Sequence, residues 1–339
     1  MIKIFTLLLL LFFAGFNFAE NVVRIPAIGR PDTLTVTQKH LYVTEGATVY
    51  VYLLKNLELI KKFGKEGEGP QEFSLNPYYY RGGVLLNVEN SNIYICCINK
   101  ISVFSSDLSF KKEVRVKSGL EFIPYKEKFL GYELINEGKV TYRVLNIYDS
   151  NLNKLKEVFR NEHSVQQGKG AMPLGSNFFF RTNGNKIFVC GSTEFIIDVY
   201  DNNGKKLYSI KHNYEKLKVQ EDFKKNVYNF YKTSRLYKQN YEWIKQQLRF
   251  PDYFPAIRDF IIDEDMLYVR TWNYSEKEVE VIICSINGNF LKKLFLPIIS
   301  NDSLNPYPYT IKNRKIYQMI ENEEKEEWKL HIHDIYDTK

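Results

Sequence analysis

At 339 residues the chain is long enough for one large β domain or two smaller ones, and its 44% hydrophobic and 26% charged residues exclude a disordered or fibrous chain. Four cysteines are too few for a disulfide scaffold, so stability has to come from a packed core. The 24 Phe and 25 Tyr, together with Ile and Val, favour pleated surfaces, and the formal charge of +7 is gathered largely in one segment.

Residues 1–19 read as a secretory signal peptide. Lys3 supplies a positive start, Thr6–Phe18 is almost continuously apolar, and Ala19 offers a small residue for cleavage. The 13-residue apolar run is short of the roughly 20 that span a bilayer as helix, which places a membrane anchor second. No cysteine near the cut is available to carry a lipid. The expectation is a mature chain, residues 20–339, in the periplasm or the medium, with no stable membrane insertion.

Beyond the signal, a strand-turn-strand unit recurs. Short apolar strands stand at Leu41–Thr44, Ile93–Cys96, Ile187–Cys190, Leu267–Arg270 and Ile316–Met319, with Phe129–Leu134 in the third place. Tyr42, Tyr94, Phe188, Tyr268 and Tyr317 form one column, which fits the packing of each repeat on the next. The following turns centre on Leu57, Leu108, Leu152, Gly204 and Gly288, at intervals of 51, 44, 52 and 84 residues. Repeats of this length, rich in β-branched and aromatic residues, point to propeller blades rather than a helical solenoid or a sandwich. The last unit lacks an outermost strand, and Asn21–Pro26 is a spare extended segment able to supply it and close the ring. The predicted fold is therefore all-β, a six-bladed β-propeller with one helical insertion.

Within the repeats, Gly64, Gly67 and Gly69 invite a phosphate reading. Glu66 and Glu68 would repel an anion, and no Gly-Lys-Ser/Thr follows, so a tight crossing between blades is the better reading. Cys96, Cys97, Cys190 and Cys284 all lie in strand-like runs, and Cys96 and Cys190 hold the same place in different repeats. They read as small buried hydrophobes rather than a disulfide or a zinc site.

The 84-residue interval contains a Lys/Tyr-rich departure, an insertion at about 214–250. Phe223, Val227, Phe230, Tyr237, Tyr241, Ile244 and Leu248, with Ser234 in the gap, describe one face of an amphipathic helix that Pro251 and Pro255 end. Residues 211–250 hold ten Lys/Arg against four Asp/Glu, a net +6. Packing on the propeller with a merely solvated basic side is one reading. The functional one is a basic, aromatic wall that attracts an acidic partner, with Lys224, Lys225, Tyr231, Arg235, Tyr237, Lys238 and Trp243 as candidate contacts. Nucleic acid is set aside, because an exported protein rarely meets it and no other basic and aromatic residues cluster.

His331 and His333 share a strand face without a predictable third ligand, so neither a metal site nor a cofactor is expected. There is no G-x-S-x-G, and Asp263, Glu264 and Asp265 read as a turn, so no catalytic residue is assigned.

The segment Phe63–Phe73, FGKEGEGPQEF, resembles the G-x-G-P-x-E-F element of secreted bacterial six-bladed propellers related to the NHL and TolB-like groups. Gly67, Gly69, Pro70, Glu72 and Phe73 match it. Asn185–Ile210 resembles an NHL-type strand-turn-strand unit, and Phe254–Val269 the start of a late blade. The resemblance spans nearly the whole mature chain and implies the scaffold more than an activity. One NHL-like propeller is a lyase that needs metal-binding histidines from several blades. The repeated strands here carry none in equivalent places, so that activity is not carried over. Loops on a rigid propeller commonly form binding platforms, so the expected function is an exported binding or scaffold module for a peptide, protein or surface glycan of the cell envelope. The alternative is a propeller lyase or hydrolase acting on peptide or glycan.

Overall fold

A computed structural model describes residues 20–25, 27–75, 83–116, 121–163, 174, 178–234, 237–300, 306–322 and 324–335. The proposed signal at 1–19 lies outside the described residues. An N-terminal strand β1 (Glu20–Arg24) precedes blade one: β2 (Thr33–Val36), β3 (His40–Glu45), β4 (Thr48–Leu53) and β5 (Leu59–Phe63). The short strands β6 (Lys65–Glu66) and β7 (Glu72–Phe73) cross to blade two: β8 (Leu85–Glu89), β9 (Asn92–Cys96), β10 (Lys100–Ser105) and β11 (Phe110–Arg115). Blade three is β12 (Phe122–Tyr125), β13 (Lys128–Glu137), β14 (Val140–Tyr148) and β15 (Lys154–Glu162), and blade four β16 (Phe179–Asn183), β17 (Lys186–Cys190), β18 (Ile196–Asp201) and β19 (Lys206–Lys211). Blade five is β20 (Asp259–Asp263), β21 (Met266–Tyr274), β22 (Val279–Ser285) and β23 (Phe290–Leu296), and blade six starts with β24 (Tyr309–Lys312), β25 (Lys315–Asn322) and β26 (Glu327–Asp334).

Each blade is a four-stranded antiparallel sheet, and the sixth has the order β1-β26-β25-β24. Strand β1 pairs with β26 from Glu20↔His333 to Arg24↔Lys329, with Arg24 bridged to Glu327 at 3.1 Å. The expected closure by the N-terminal strand is what holds the ring shut.

The repeated turn works as a latch. Its five centres all adopt left-handed backbone: Leu57 (φ 56°), Leu108 (68°), Leu152 (64°), Gly204 (71°) and Gly288 (93°). A leucine there costs about 1–2 kcal/mol. The offset is burial against the preceding blade: Leu57 packs on the cluster that holds Trp328 and Leu330, Leu108 belongs to the one that holds Val49 and Val51, and Leu152 packs on the one that holds Cys96 and Ile101. Where the preceding outer strand comes too close for a side chain, glycine takes the place. A Cβ on Gly204 would lie 3.3 Å from Val158 Cγ2, and one on Gly288 3.2 Å from Ile210 Cγ1.

Three of these turns are tied by an aspartate. Asp149 Oδ1 accepts from the amides of Asn151 and Asn153, both at 2.8 Å, and Asp201 Oδ1 from Asn203 (2.9 Å) and Lys205 (2.8 Å). Asp107 accepts from the Ser105 hydroxyl and the Ser109 amide. These bonds favour the charged carboxylate and hold all three below the ordinary range: the Asn153 side chain first for Asp149, the Lys205 amide for Asp201, the Ser105 hydroxyl for Asp107. A depressed folded value adds stability that is present above the unfolded value of about 4 and is lost as pH falls through the folded one. The triple variant Asp107→Asn, Asp149→Asn, Asp201→Asn should therefore show a shallower loss of urea midpoint below about pH 4 than the parent. An identical acid slope would contradict the turn account.

The core lies in six seams between blades. Tyr42, Tyr94, Phe188, Tyr268 and Tyr317 each face the next blade, and Leu130 fills the column in blade three. The four cysteines are buried and unbridged in these seams. The glycine-rich stretch is a crossing, as expected. Gly64 (φ 85°) lies so close to the Ala47 carbonyl and the Phe73 ring that a Cβ would collide with both. Lys100, its side chain 4% exposed, locks the crossing by donating to Gly69 O (2.6 Å) and Glu68 O (3.3 Å) and pairing with Glu113 (3.0 Å).

The insertion departs from the sequence expectation in one respect. It is not one helix but two, α1 (Glu221–Thr233) and α2 (Tyr241–Gln247), with a 3-10 turn at Lys238–Asn240. Ser234 takes an extended backbone (φ −59°, ψ 129°), which stops α1 where the periodicity ran on. Phe223 and Val227 of α1, Ile244 of α2 and Leu248 just past its end still meet in one small core.

Candidate functional site: a cleft beside the insertion

The insertion joins the outermost strand of blade four, β19, to the innermost strand of blade five, β20. Because strands alternate in direction, such connections open on the same face of the disc as the hairpins between second and third strands. The β21–β22 hairpin of blade five therefore stands beside the insertion. The two ends of the insertion meet at a neck: Val219 N donates to Asp252 O (2.9 Å), Phe254 N donates to Leu217 O (2.8 Å), and Lys218 bridges Tyr253 between them. This neck sets α1 against the hairpin. Phe254 stacks on Trp272 of β21 with centroids 4.8 Å apart and planes 11° apart. Phe223 of α1 stands edge-on to both, at 5.0 and 5.6 Å.

Between these walls lies a cleft of about 740 Å³. Its base is aromatic, from Phe223, Phe254 and Trp272. Its sides are polar: Gln220, Asp222 and Asn226 come from the insertion, and Asn273, Ser275 and Glu276 from the hairpin, with Ser300 beyond them. The hairpin stem is fixed by the buried Glu280, which accepts from Thr271 Oγ1 (3.0 Å), Tyr214 OH (3.2 Å) and Asn273 Nδ2 (3.2 Å) and pairs with Lys293 at 3.4 Å. Burial pushes the Tyr214 hydroxyl up to about 12.

Behind Trp272 is a buried charge cluster. The Arg258 guanidinium carbon lies 4.4 Å from the Trp272 ring and 5.2 Å from that of Tyr274. Arg270 grips Asp259 bidentately across the β20–β21 pair, Nε to Oδ1 at 3.0 Å and Nη2 to Oδ2 at 2.6 Å, and Tyr309 OH of blade six reaches Asp259 Oδ1 at 3.4 Å. Burial, and then the neighbouring Arg270, pull Arg258 down to about 10. Asp263 lies at the other end of the same seam, paired with Lys312 at 2.8 Å, while Glu264 and Asp265 form the expected turn.

Of the residues singled out in the sequence, Lys224 is paired with Glu221 (2.6 Å) and Lys225 with Asp222 (2.9 Å) on α1. Tyr231 and Tyr237 come together, centroids 5.2 Å apart, with Phe230 against both. Lys238 is exposed, Trp243 is 67% exposed on α2, and Arg235 lies outside the described residues. Sequence reasoning missed Trp272, Phe254, Arg258, Asp259 and Arg270. The available signal was the polar and aromatic run Thr271–Tyr274, which extends the fifth repeat's second strand past the usual length.

A second, smaller cleft of about 350 Å³ opens on the opposite face, among the first hairpins of blades two to four. There Glu89 accepts twice from the Lys126 amide (3.1 and 3.0 Å), and burial raises its pKa. Among the described residues no group of three or more His, Cys, Asp or Glu is placed to hold a metal ion, and His331 and His333 stand 6.4 Å apart without a third such residue. No helix among them is long and apolar enough to cross a membrane.

No protein-family model matches the chain, and no curated protein sequence does. Solved structures do. A protein of Bacteroides fragilis described as a candidate exported protein superposes with a TM-score of 0.58 at 14% identity, over 94% of this chain and 96% of that one. A member of the duf4221 family from Bacteroides vulgatus superposes with a TM-score of 0.51 at 8% identity, over 93% and 96%. At these identities the likeness is one of fold: the chain is a six-bladed β-propeller resembling bacterial proteins of this kind.

Proposed function

We propose that the chain is an exported binding propeller that recognises a peptide, protein or glycan of the cell envelope in the cleft beside its insertion. One observation carries this reading: the insertion and blade five together build a concave, aromatic-based and polar-sided site of ordinary ligand size on a rigid face. Residues 1–19 act as the export signal, so the mature protein begins at Glu20 and works in the periplasm or outside the cell. Kinship with NHL and TolB-like propellers fits this reading through the Gly67–Phe73 element. Lys224, Lys225, Tyr231, Tyr237, Lys238 and Trp243 form the outer wall, and Arg235, outside the described residues, is a further candidate contact from its place in the sequence. Exposed Lys238 and Trp243 supply its contact surface, since Lys224 and Lys225 already hold carboxylates.

A lyase or hydrolase needs carboxylates or histidines converging on one point. On the innermost strand of blade five, Asp259 is already held by Arg270, which favours binding over catalysis. Mass spectrometry of the exported protein should give an N-terminus at Glu20. Immobilised mature protein should retain a specific partner from an envelope extract, and repeated recovery of none would count against a binding role.

A further inference from the structure

We propose that the smaller cleft, on the opposite face, takes a small zwitterion of the amino-acid class, its ammonium on Glu89 and its carboxylate on Lys126. The site is separate from the cleft beside the insertion and independent of it. Two equivalent seams of the ring differ at this point. Between blades five and six, Asp263 ends the innermost strand β20. It accepts from the Arg314 amide in the first hairpin of blade six (3.2 Å) and pairs with the Lys312 ammonium (2.8 Å). Between blades two and three, Glu89 ends β8 in the same way and accepts from the Lys126 amide in the first hairpin of blade three (3.1 and 3.0 Å). Tyr125, however, stands at the end of β12 where Lys312 stands at the end of β24. Glu89 keeps the latch between blades and lacks the counter-ion. Burial raises its pKa in spite of the amide and of the more distant Lys126 charge. The cavity of about 350 Å³ opens at this place, with Glu89 in its wall.

The lining selects the ligand. Its charged groups are Glu89 and Lys126, one of each sign. A diamine would meet Lys126 and a plain anion would meet Glu89, whereas a molecule carrying both an ammonium and a carboxylate suits the pair. Among the described residues the Lys126 ammonium, the Asn87 amide and the Thr182 hydroxyl make no hydrogen bond or ion pair. They are not sealed off either: all three residues are half-buried, and their polar atoms stay within reach of solvent. They can therefore donate to a ligand carboxylate without first breaking a bond inside the protein. The hairpin of blade four is pinned by Asn183, whose Nδ2 donates to Glu264 O at 2.6 Å, so the third wall of the cavity is fixed before a ligand arrives.

The test is calorimetric titration of the mature chain with each standard L-amino acid at millimolar concentration. Saturable binding of at least one is expected. Its N-acetyl derivative, which has no ammonium, should not bind, and the corresponding amine, which has no carboxylate, should bind about tenfold more weakly. Glu89→Gln and Lys126→Asn should each weaken binding by about tenfold or more. Glu89→Gln keeps an acceptor for the Lys126 amide. Lys126→Asn keeps that amide and suits the left-handed backbone at this position (φ 49°), so it carries the test if the first variant loosens the seam. Absence of binding by every amino acid would overturn the inference. So would an N-acetyl derivative or an amine that binds as well as the amino acid, or binding that Lys126→Asn leaves intact. None of these results bears on the partner recovered from the envelope, which belongs to the other face.

Discussion

Replacing Asp259 with alanine should cost the folded state about 3–5 kcal/mol, the usual result of removing one partner from a buried ion pair. Asp259 is the carboxylate that Arg270 grips with two hydrogen bonds, and Arg258 and Tyr309 crowd the same seam between blades five and six. Without it, Arg270, its side chain 7% exposed, would keep its charge and lose its counter-ion. Asp259→Asn should fall between the two, since it preserves an acceptor and removes the charge. Urea denaturation at neutral pH measures both. A loss below about 1 kcal/mol for Asp259→Ala would mean that the cluster does not anchor the wall behind the cleft.

Excising residues 220–251 and joining Val219 to Asp252 through Asn-Gly should leave the six blades folded and abolish ligand binding. The backbone at the neck is already paired as in a hairpin, so a two-residue turn suits it. Phe223, Val227, Ile244 and Leu248, the core residues of the excised segment, leave with it in the folded and the unfolded chain alike. What the propeller loses is cover over Phe254 and Trp272. At about 1.5–3 kcal/mol for fully exposing a large apolar side chain, partial exposure of these two should cost about 2–4 kcal/mol. A trimmed protein that retains β circular dichroism and binds nothing agrees with the account. One that fails to fold would make the insertion part of the core, and one that binds as before would move the site elsewhere.

The blades were legible because their physics repeats. A left-handed turn centre and an aromatic facing the next blade recur once per unit, and they recur because every blade has to latch to its neighbour. Even the exception was local, with Leu130 standing where the other blades place an aromatic. The insertion was visible as a break in that period, but its internal bend was not, because the apolar spacing resumes in register at Tyr237 after the single gap at Ser234. The cleft was hidden for another reason. Its walls come from α1, the neck and the β21–β22 hairpin, and only the pairing of the neck and the packing of Phe223 and Phe254 on Trp272 bring them together. Lysine and tyrosine counts drew attention to the outer surface of the insertion, where Lys224 and Lys225 turn out to be neutralised within their own helix. Arg258, Asp259 and Arg270 looked like ordinary residues at strand ends until their pairing across the sheet was known.

The central claim, that ligand binds on the insertion's inner side, is tested most directly by hydrogen–deuterium exchange of the mature protein with and without the partner recovered from the envelope. The account predicts protection at residues 217–226 and 272–276 and around Phe254 and Ser300, with the first hairpins of blades two to four unchanged. Protection confined to those hairpins, around Glu89 and Lys126, would contradict it and place the site at the opposite face of the disc.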